Sequence, residues 1–168
     1  MIGMVIARTK MMIQDDLLKP WPKAKVHFTG SKPERFYKEI PQLLQTVFRV
    51  HPGEIQEKKF SWVKGEPEKF KVKWELDKDL DRNSYYKIDV SLSGQTSKGQ
   101  GSADIVVEGA LRTEYPQDTV WERSLLYEFL RMTWHRLFYA SKREQMLRDG
   151  RKLIGIFLED LKRLTHTE

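Results

Sequence analysis

Residues that could do chemistry are few in this chain, and their spacing selects no reaction. Four histidines, His27, His51, His135 and His166, lie far apart along the 168 residues, and none belongs to a metal-ligand pair such as H-E-x-x-H. With no cysteine there is no thiolate nucleophile, no disulfide framework and no cysteine metal site. A Ser–His–Asp set can be drawn from many residues, but nothing in the spacing picks one. His135 is the most interesting of the four, because at helical spacing it shares a narrow polar stripe with Glu128 and Arg131 on a segment that is otherwise apolar. Such a stripe could hold a ligand; the simpler reading is an ion network on a helix surface with a hydrogen-bonded imidazole. No residue recommends itself as catalytic, and no motif calls for a metal or a cofactor.

Three other groups invite a binding function. The glycine-rich run Gly94 to Gly101 (GQTSKGQG) lacks the G-x-x-x-x-G-K-[ST] order of a phosphate loop and sits between two strand patterns, so it reads as a flexible hairpin loop. Trp62, Phe70, Trp74 and Tyr86 could form a platform for stacked bases, but they alternate with charged residues, which reads more economically as one apolar sheet face in a core. Lys142, Arg143, Arg148, Arg151 and Lys152 form a basic cluster that could meet RNA or another polyanion. The net charge of +6 is unevenly spread: the first fifty residues hold nine basic and four acidic side chains, and residues 51–120 hold eleven and thirteen. A solvated, solubility-keeping surface explains that balance as well as a nucleic-acid partner does.

The elements that must position these groups follow from periodicity. Asp118 to Tyr139 (DTVWERSLLYEFLRMTWHRLFY) is helical in pattern and apolar on nearly every side, with Leu126, Phe129, Leu130, Trp134, Leu137 and Phe138 on one broad face. A helix apolar all round is buried in a large core or a membrane, and its charges exclude a bilayer span, so the pattern predicts a central helix that the rest of the chain wraps. Lys23 to Thr29 alternates as a strand. Ser31 and Glu34 have capping-box spacing and predict the start of a helix that Pro41 should kink or split and that His51-Pro52-Gly53 ends. From Ile55 to Thr113 the period is two, predicting a four-strand antiparallel meander with turns at Gly65 to Pro67, Lys78 to Ser84 and Ser93 to Ser102. Residues 1–22 read as an N-terminal arm, with a short strand at Gly3 to Arg8 and an amphipathic turn or two around Met11 to Leu18. Residues 23–168 read as a single domain. Beyond the central helix, Leu147, Gly150, Ile154, Phe157, Leu158, Leu161 and Leu164 define the apolar arc of a second helical segment, and the polar run Ser141 to Glu144 predicts a bend or break between Tyr139 and Gln145. The longest charge-free run, Ile40 to Phe48, is nine residues, far below the ~20 of a membrane span. The start of the chain lacks the order of a signal peptide, so the expectation is a soluble cytoplasmic protein.

Several stretches together carry a resemblance: Met4 to Met12 (MVIARTKMM), Phe28 to Lys38 (FTGSKPERFYK), Leu111 to Pro116 (LRTEYP), and Ser124 to Tyr139 with the KREQ that begins at Lys142. The chain resembles, over nearly its whole length, a family of small uncharacterised archaeal proteins, and this resemblance implies no activity, cofactor or site. The order strand, helix, antiparallel strands, long C-terminal helix is also similar to the helix-grip fold of the START and birch-pollen-allergen superfamily, in which a curved sheet grips the last helix around an apolar cavity. Two departures stand out: five or six strands in place of the usual seven, and one further helical segment at the C-terminus.

The fold class expected is therefore α+β, an antiparallel meander sheet wrapped on a long C-terminal helix, helix-grip-like, with one further C-terminal helical segment. The leading functional reading is a non-catalytic domain that binds an apolar small molecule or lipid in a pocket between sheet and helix, with Trp62, Trp74, Tyr86, Trp134 and Phe138 as its lining. The alternatives are a basic RNA- or polyanion-binding module and a structural subunit of a larger assembly, including a homodimer formed through the C-terminal helices.

Overall fold

The period-2 segments become one antiparallel sheet of six strands. The structure is a computed structural model that describes residues 11–115 and 125–166, with the side chains of Met11, Leu125, Glu128 and His135 outside that description. The expected strand at Gly3 to Arg8 and the start of the 118–139 helix also lie outside the described residues. The strands are β1 (Met11–Asp16), β2 (Lys23–Ser31), β3 (Ile55–Val63), β4 (Glu68–Asp79), β5 (Ser84–Ser97) and β6 (Gln100–Tyr115). Strands β3 to β6 form the meander that the alternation predicts, paired in chain order. The other edge of β6 is shared: β2 pairs along 100–108 and β1 along 110–115. Segment 11–16 is thus a strand and not the expected helical turn, because the free edge of β6 supplies a ladder that an isolated turn cannot match. The chain corners at Leu17, whose N–H donates to the Gly109 carbonyl at 2.9 Å.

The glycine-rich run is strand rather than loop. Lys98 (φ 50°) and Gly99 (φ 79°) alone make the turn, and positive φ at both central residues is the two-residue hairpin connection whose twist suits the flanking strands.

One face of the sheet is apolar and covered. Phe70, Val72, Trp74 and Leu76 on β4, Tyr86, Ile88, Val90 and Leu92 on β5, and Ile105, Val107 and Leu111 on β6 are all buried, while the lysines and carboxylates between them point outward into ion pairs. Two helices cover this face. The first, α1 (Phe36–Phe48), begins after a short 3-10 turn at Pro33–Arg35; Ser31 finishes β2 instead of capping the helix, so the expected capping box does not form. Pro41 lies inside α1, which continues past it unsplit. Phe36, Ile40, Leu44, Val47 and Phe48 face inward.

The second helix is the end of one continuous helical run: α2 (Leu125–Trp134), a π-helical stretch at His135–Tyr139, and α3 (Ala140–His166). The expected break between Tyr139 and Gln145 is absent. The irregularity falls just before it, as a wide π turn, and the polar run after it is an anchor to the sheet. Residues of α3 complete the core, with Ile154, Phe157 and Leu161 fully buried and the Phe48 and Phe157 rings 6.0 Å apart. The helix the sheet holds is therefore α3 and not the described part, 125–139, of the expected central helix.

Of the two glycines in α3, only Gly150 sets how closely the helix approaches the sheet. A Cβ at Gly150 would lie 2.7 Å from Tyr86 Cε1 and 2.8 Å from Leu17 Cδ2, whereas a Cβ at Gly155 would meet nothing within 4 Å. Glycine costs a helix interior about 1 kcal/mol relative to alanine. Gly155→Ala should therefore stabilise the domain by up to about 1 kcal/mol. Gly150→Ala should lose that gain and destabilise by about 1 to 3 kcal/mol through overpacking. Urea unfolding of the two variants checks the opposite signs.

Candidate functional site

Of the described helices, α2 does the reverse of what its pattern leads one to expect. Leu126, Phe129, Leu130, Met132, Trp134, Leu137 and Phe138 are 53 to 68% exposed, and the Trp134 and Phe138 rings pair with each other at 4.7 Å on the outside. The residue turned inward is Arg131, 7% exposed, whose guanidinium carbon lies 5.4 Å from the ring centre of Tyr115 and 5.6 Å from that of Tyr127. The narrow polar stripe thus meets the domain through Arg131, and the broad apolar face looks outward. Glu128 and His135 occupy helical positions on either side of Arg131, and their side chains lie outside the description.

A polar cluster holds this helix to the sheet. Tyr139 donates to Asp81 Oδ2 at 2.6 Å and lies 2.8 Å from Ser84 Oγ, which in turn lies 2.8 Å from Thr113 Oγ1. Lys142 donates to the same Asp81 oxygen at 2.8 Å, and the N–H groups of Asn83 and Ser84 donate to its other oxygen. Burial works against ionisation of Asp81, but these four donors outweigh it and hold its pKa down to about 2. Burial, reinforced by the hydrogen bond to Asp81, pushes the Tyr139 phenol up to about 12. Arg143 is buried; it donates to the Asp15 carboxylate and to Thr113 Oγ1 at 3.1 Å, and lies within 3.4 Å of the Ile13 and Leu111 carbonyls. Burial of Asp15 raises its pKa, and the bond and charge of Arg143 more than reverse this, leaving it below the usual carboxylate range. Every charge in this cluster is used to fix the helix.

The sequence-predicted residues are not brought to one place. Trp74 and Tyr86 are 3 and 2% exposed in the core, and Tyr86 donates to the Met146 carbonyl of α3 at 2.5 Å. Trp62 is half-buried at the far edge of the sheet among Tyr37, Phe60 and Phe70, with its indole N–H on Glu68. Trp134 and Phe138 lie on the outer face of the helix, so the five do not line a common pocket. Of the basic cluster, Arg143 is buried, Lys142 is held by Asp81, and Arg148 pairs with Glu144 at 3.0 Å. Arg151 is half-buried, and Lys152 is exposed with no ion-pair partner among the described residues. His51 accepts the Gly53 N–H in a capping box with Glu54. His27 lies between Asp104 Oδ1 at 2.7 Å and Thr29 Oγ1 at 3.0 Å, a connectivity like that of an orienter, base and nucleophile. All three side chains stand on the exposed outer face, where Lys25 shares the same carboxylate at 3.4 Å, so the imidazole belongs to a solvated ion ladder. Among the described residues no group of three or more histidines and carboxylates could hold a metal ion, and no helix is long and apolar enough to cross a membrane.

Sequence reasoning did not single out Asp15, Asp81, Ser84, Thr113 and Tyr139 as an anchor, yet a signal was there. Ser84 and Thr113 fall on inward positions of β5 and β6 by strict alternation, and Arg143 falls on the inward side of α3; polar residues at inward positions must find one another. Beside the anchor, Tyr115 and one stripe of the helix, Phe129, Arg131, Met132, Thr133, Arg136 and Ala140, line a mainly apolar recess of about 560 Å³. No protein-family model matches this chain, and no curated protein sequence matches it.

Proposed function

We propose that this protein is a non-catalytic assembly subunit, in which a filled α+β domain holds out the 125–139 helix as a docking surface for another protein surface. The observation that carries this reading is the outward apolar face: seven large side chains more than half exposed on a helix whose Arg131 is turned in. Contiguous apolar patches beyond a few hundred Å² are rare on monomers and mark interaction sites. The anchor cluster supports the same reading, since buried polar bonds spent on a helix that adds little to the core make sense if the helix must be held in place. The strand order, with the first strands beside the last and the final helix across the sheet, supports a relation to the helix-grip architecture at the level of fold alone.

Exchanging Leu126, Leu130 and Leu137 together for glutamine tests the proposal. Each change should cost the domain less than about 0.5 kcal/mol, as surface substitutions do, while association disappears. A fall of about 2 to 5 kcal/mol per site, the cost of truncating a core leucine, would place the helix in the core and end the proposal.

The recess favours a second reading, an amphiphile with an anionic head. Its walls are mainly apolar, and Arg131 and Arg136 are the charged residues among its lining. Native mass spectrometry of protein purified from cells should then find an added mass, and a bare chain mass with no fatty acid raising the melting temperature would exclude it.

A further inference from the structure

We infer that the surface which covers the 125–139 helix is the same helix of a second copy, packed antiparallel about a two-fold axis near residues 131 and 132. This rests on the docking proposal above and names its occupant.

Area is the first argument. Seven apolar side chains, each more than half exposed, present on the order of 800 Å² of surface, which matches the ~800 Å² per partner that a standard interface buries. Spacing is the second. Leu126, Leu130 and Thr133 recur at intervals of four and three within α2, the seam along which two helices pack side by side, and Leu137 follows in the π turn, 68% exposed. In an antiparallel pair, each Leu126 meets the partner's Leu137 and each Leu130 meets the partner's Thr133, so apolar contacts fill both ends of the seam. Phe129 and Arg136 lie on one flank of that seam, seven residues apart, and the two-fold sets each guanidinium beside the other copy's ring. Charge order is the third argument. Arg131 is turned inward and Lys142 and Arg143 are engaged by Asp81 and Asp15, so Arg136 is the arginine left on the outward side of the 125–139 helix. A parallel pair would set the two Arg136 side chains next to each other, whereas an antiparallel pair separates them and places each toward the other copy's Phe129. Arg136 and Met132 also line the 560 Å³ recess, which gives side chains of the second helix a concave place to enter.

The absence of cysteine makes the geometry directly testable. In a Leu126→Cys, Leu137→Cys double variant the two thiols of one chain are roughly 16 Å apart along the helix, too far for a disulfide inside one chain. Oxidation should therefore give a covalent dimer in high yield, and each single variant should stay uncrosslinked. The unmodified protein at high concentration should show twice the 20.0 kDa chain mass by light scattering, and should keep it in high salt because the contact is apolar. Cross-linking of either single variant alone would overturn the antiparallel arrangement. A monomer mass at every concentration would overturn self-pairing, and so would a monomer that binds phosphatidylcholine vesicles. In those cases the glutamine triple variant separates the two failures: unchanged stability leaves the docking surface standing with another occupant, and lost stability removes that surface as well.

Discussion

Phe157→Asp should leave the chain unfolded as a monomer at every concentration. The Phe157 side chain is fully buried between the sheet and α1, against the Phe48 ring. Truncating such a phenylalanine to alanine already costs about 3 to 5 kcal/mol, and placing an unpaired carboxylate there adds the cost of burying a charge. The total competes with the whole stability of a domain, about 5 to 15 kcal/mol. Circular dichroism should show loss of the sheet signal at room temperature, while Phe157→Ala stays folded with a lowered urea midpoint. A folded Phe157→Asp protein that merely loses a partner would place α3, and not α2, at the interface.

Arg143→Ala should have the next largest effect. It removes a buried cation from Asp15, Thr113 and two strand carbonyls at once, and it frees β1 from the helix. Breaking a fully buried pair costs about 3 to 5 kcal/mol; the Asp15 side chain retains 32% exposure and can take water in place of the guanidinium, so about 2 to 3 kcal/mol is expected. Asp15→Ala should then be far from additive with Arg143→Ala, because each removes the same bond. A double-mutant cycle by urea unfolding measures this. Additive losses would mean that the two residues do not act on each other.

Both predictions bear on what the sequence can and cannot say. The meander was legible because period-2 alternation fixes which residues share a face, and the observed register sets Val72, Leu92 and Ile105 in one buried row. The arc of α3 was legible for the same reason at helical period. The place of the 125–139 part of the expected central helix was not, because an apolar surface demands cover without saying whose. Its hydrophobicity exceeds that of α3, whose exposed face is polar apart from Ile156, so burial within one chain was the natural expectation. Arg131 decides otherwise, since a guanidinium set against Tyr115 turns the helix around and sends the leucines out. The break expected between Tyr139 and Gln145 is absent for a related reason: polar residues in an apolar arc can be an anchor as well as an interruption. The groups they bond to are remote in sequence, with Ser84 55 positions from Tyr139 and Asp15 128 positions from Arg143. The β1 strand was missed because its six residues depend wholly on the free edge of β6.

The central claim is that the apolar face of the 125–139 helix lies outside the core of its own domain and is covered only by association. Hydroxyl-radical footprinting at low and high protein concentration reads this directly, with Trp74 as an internal reference buried in the core. Met132, Trp134 and Phe138 should be oxidised readily in dilute protein and become protected as concentration rises, while Trp74 stays protected throughout. Protection of all four residues even at high dilution would contradict the account, because it would put the helix inside its own domain.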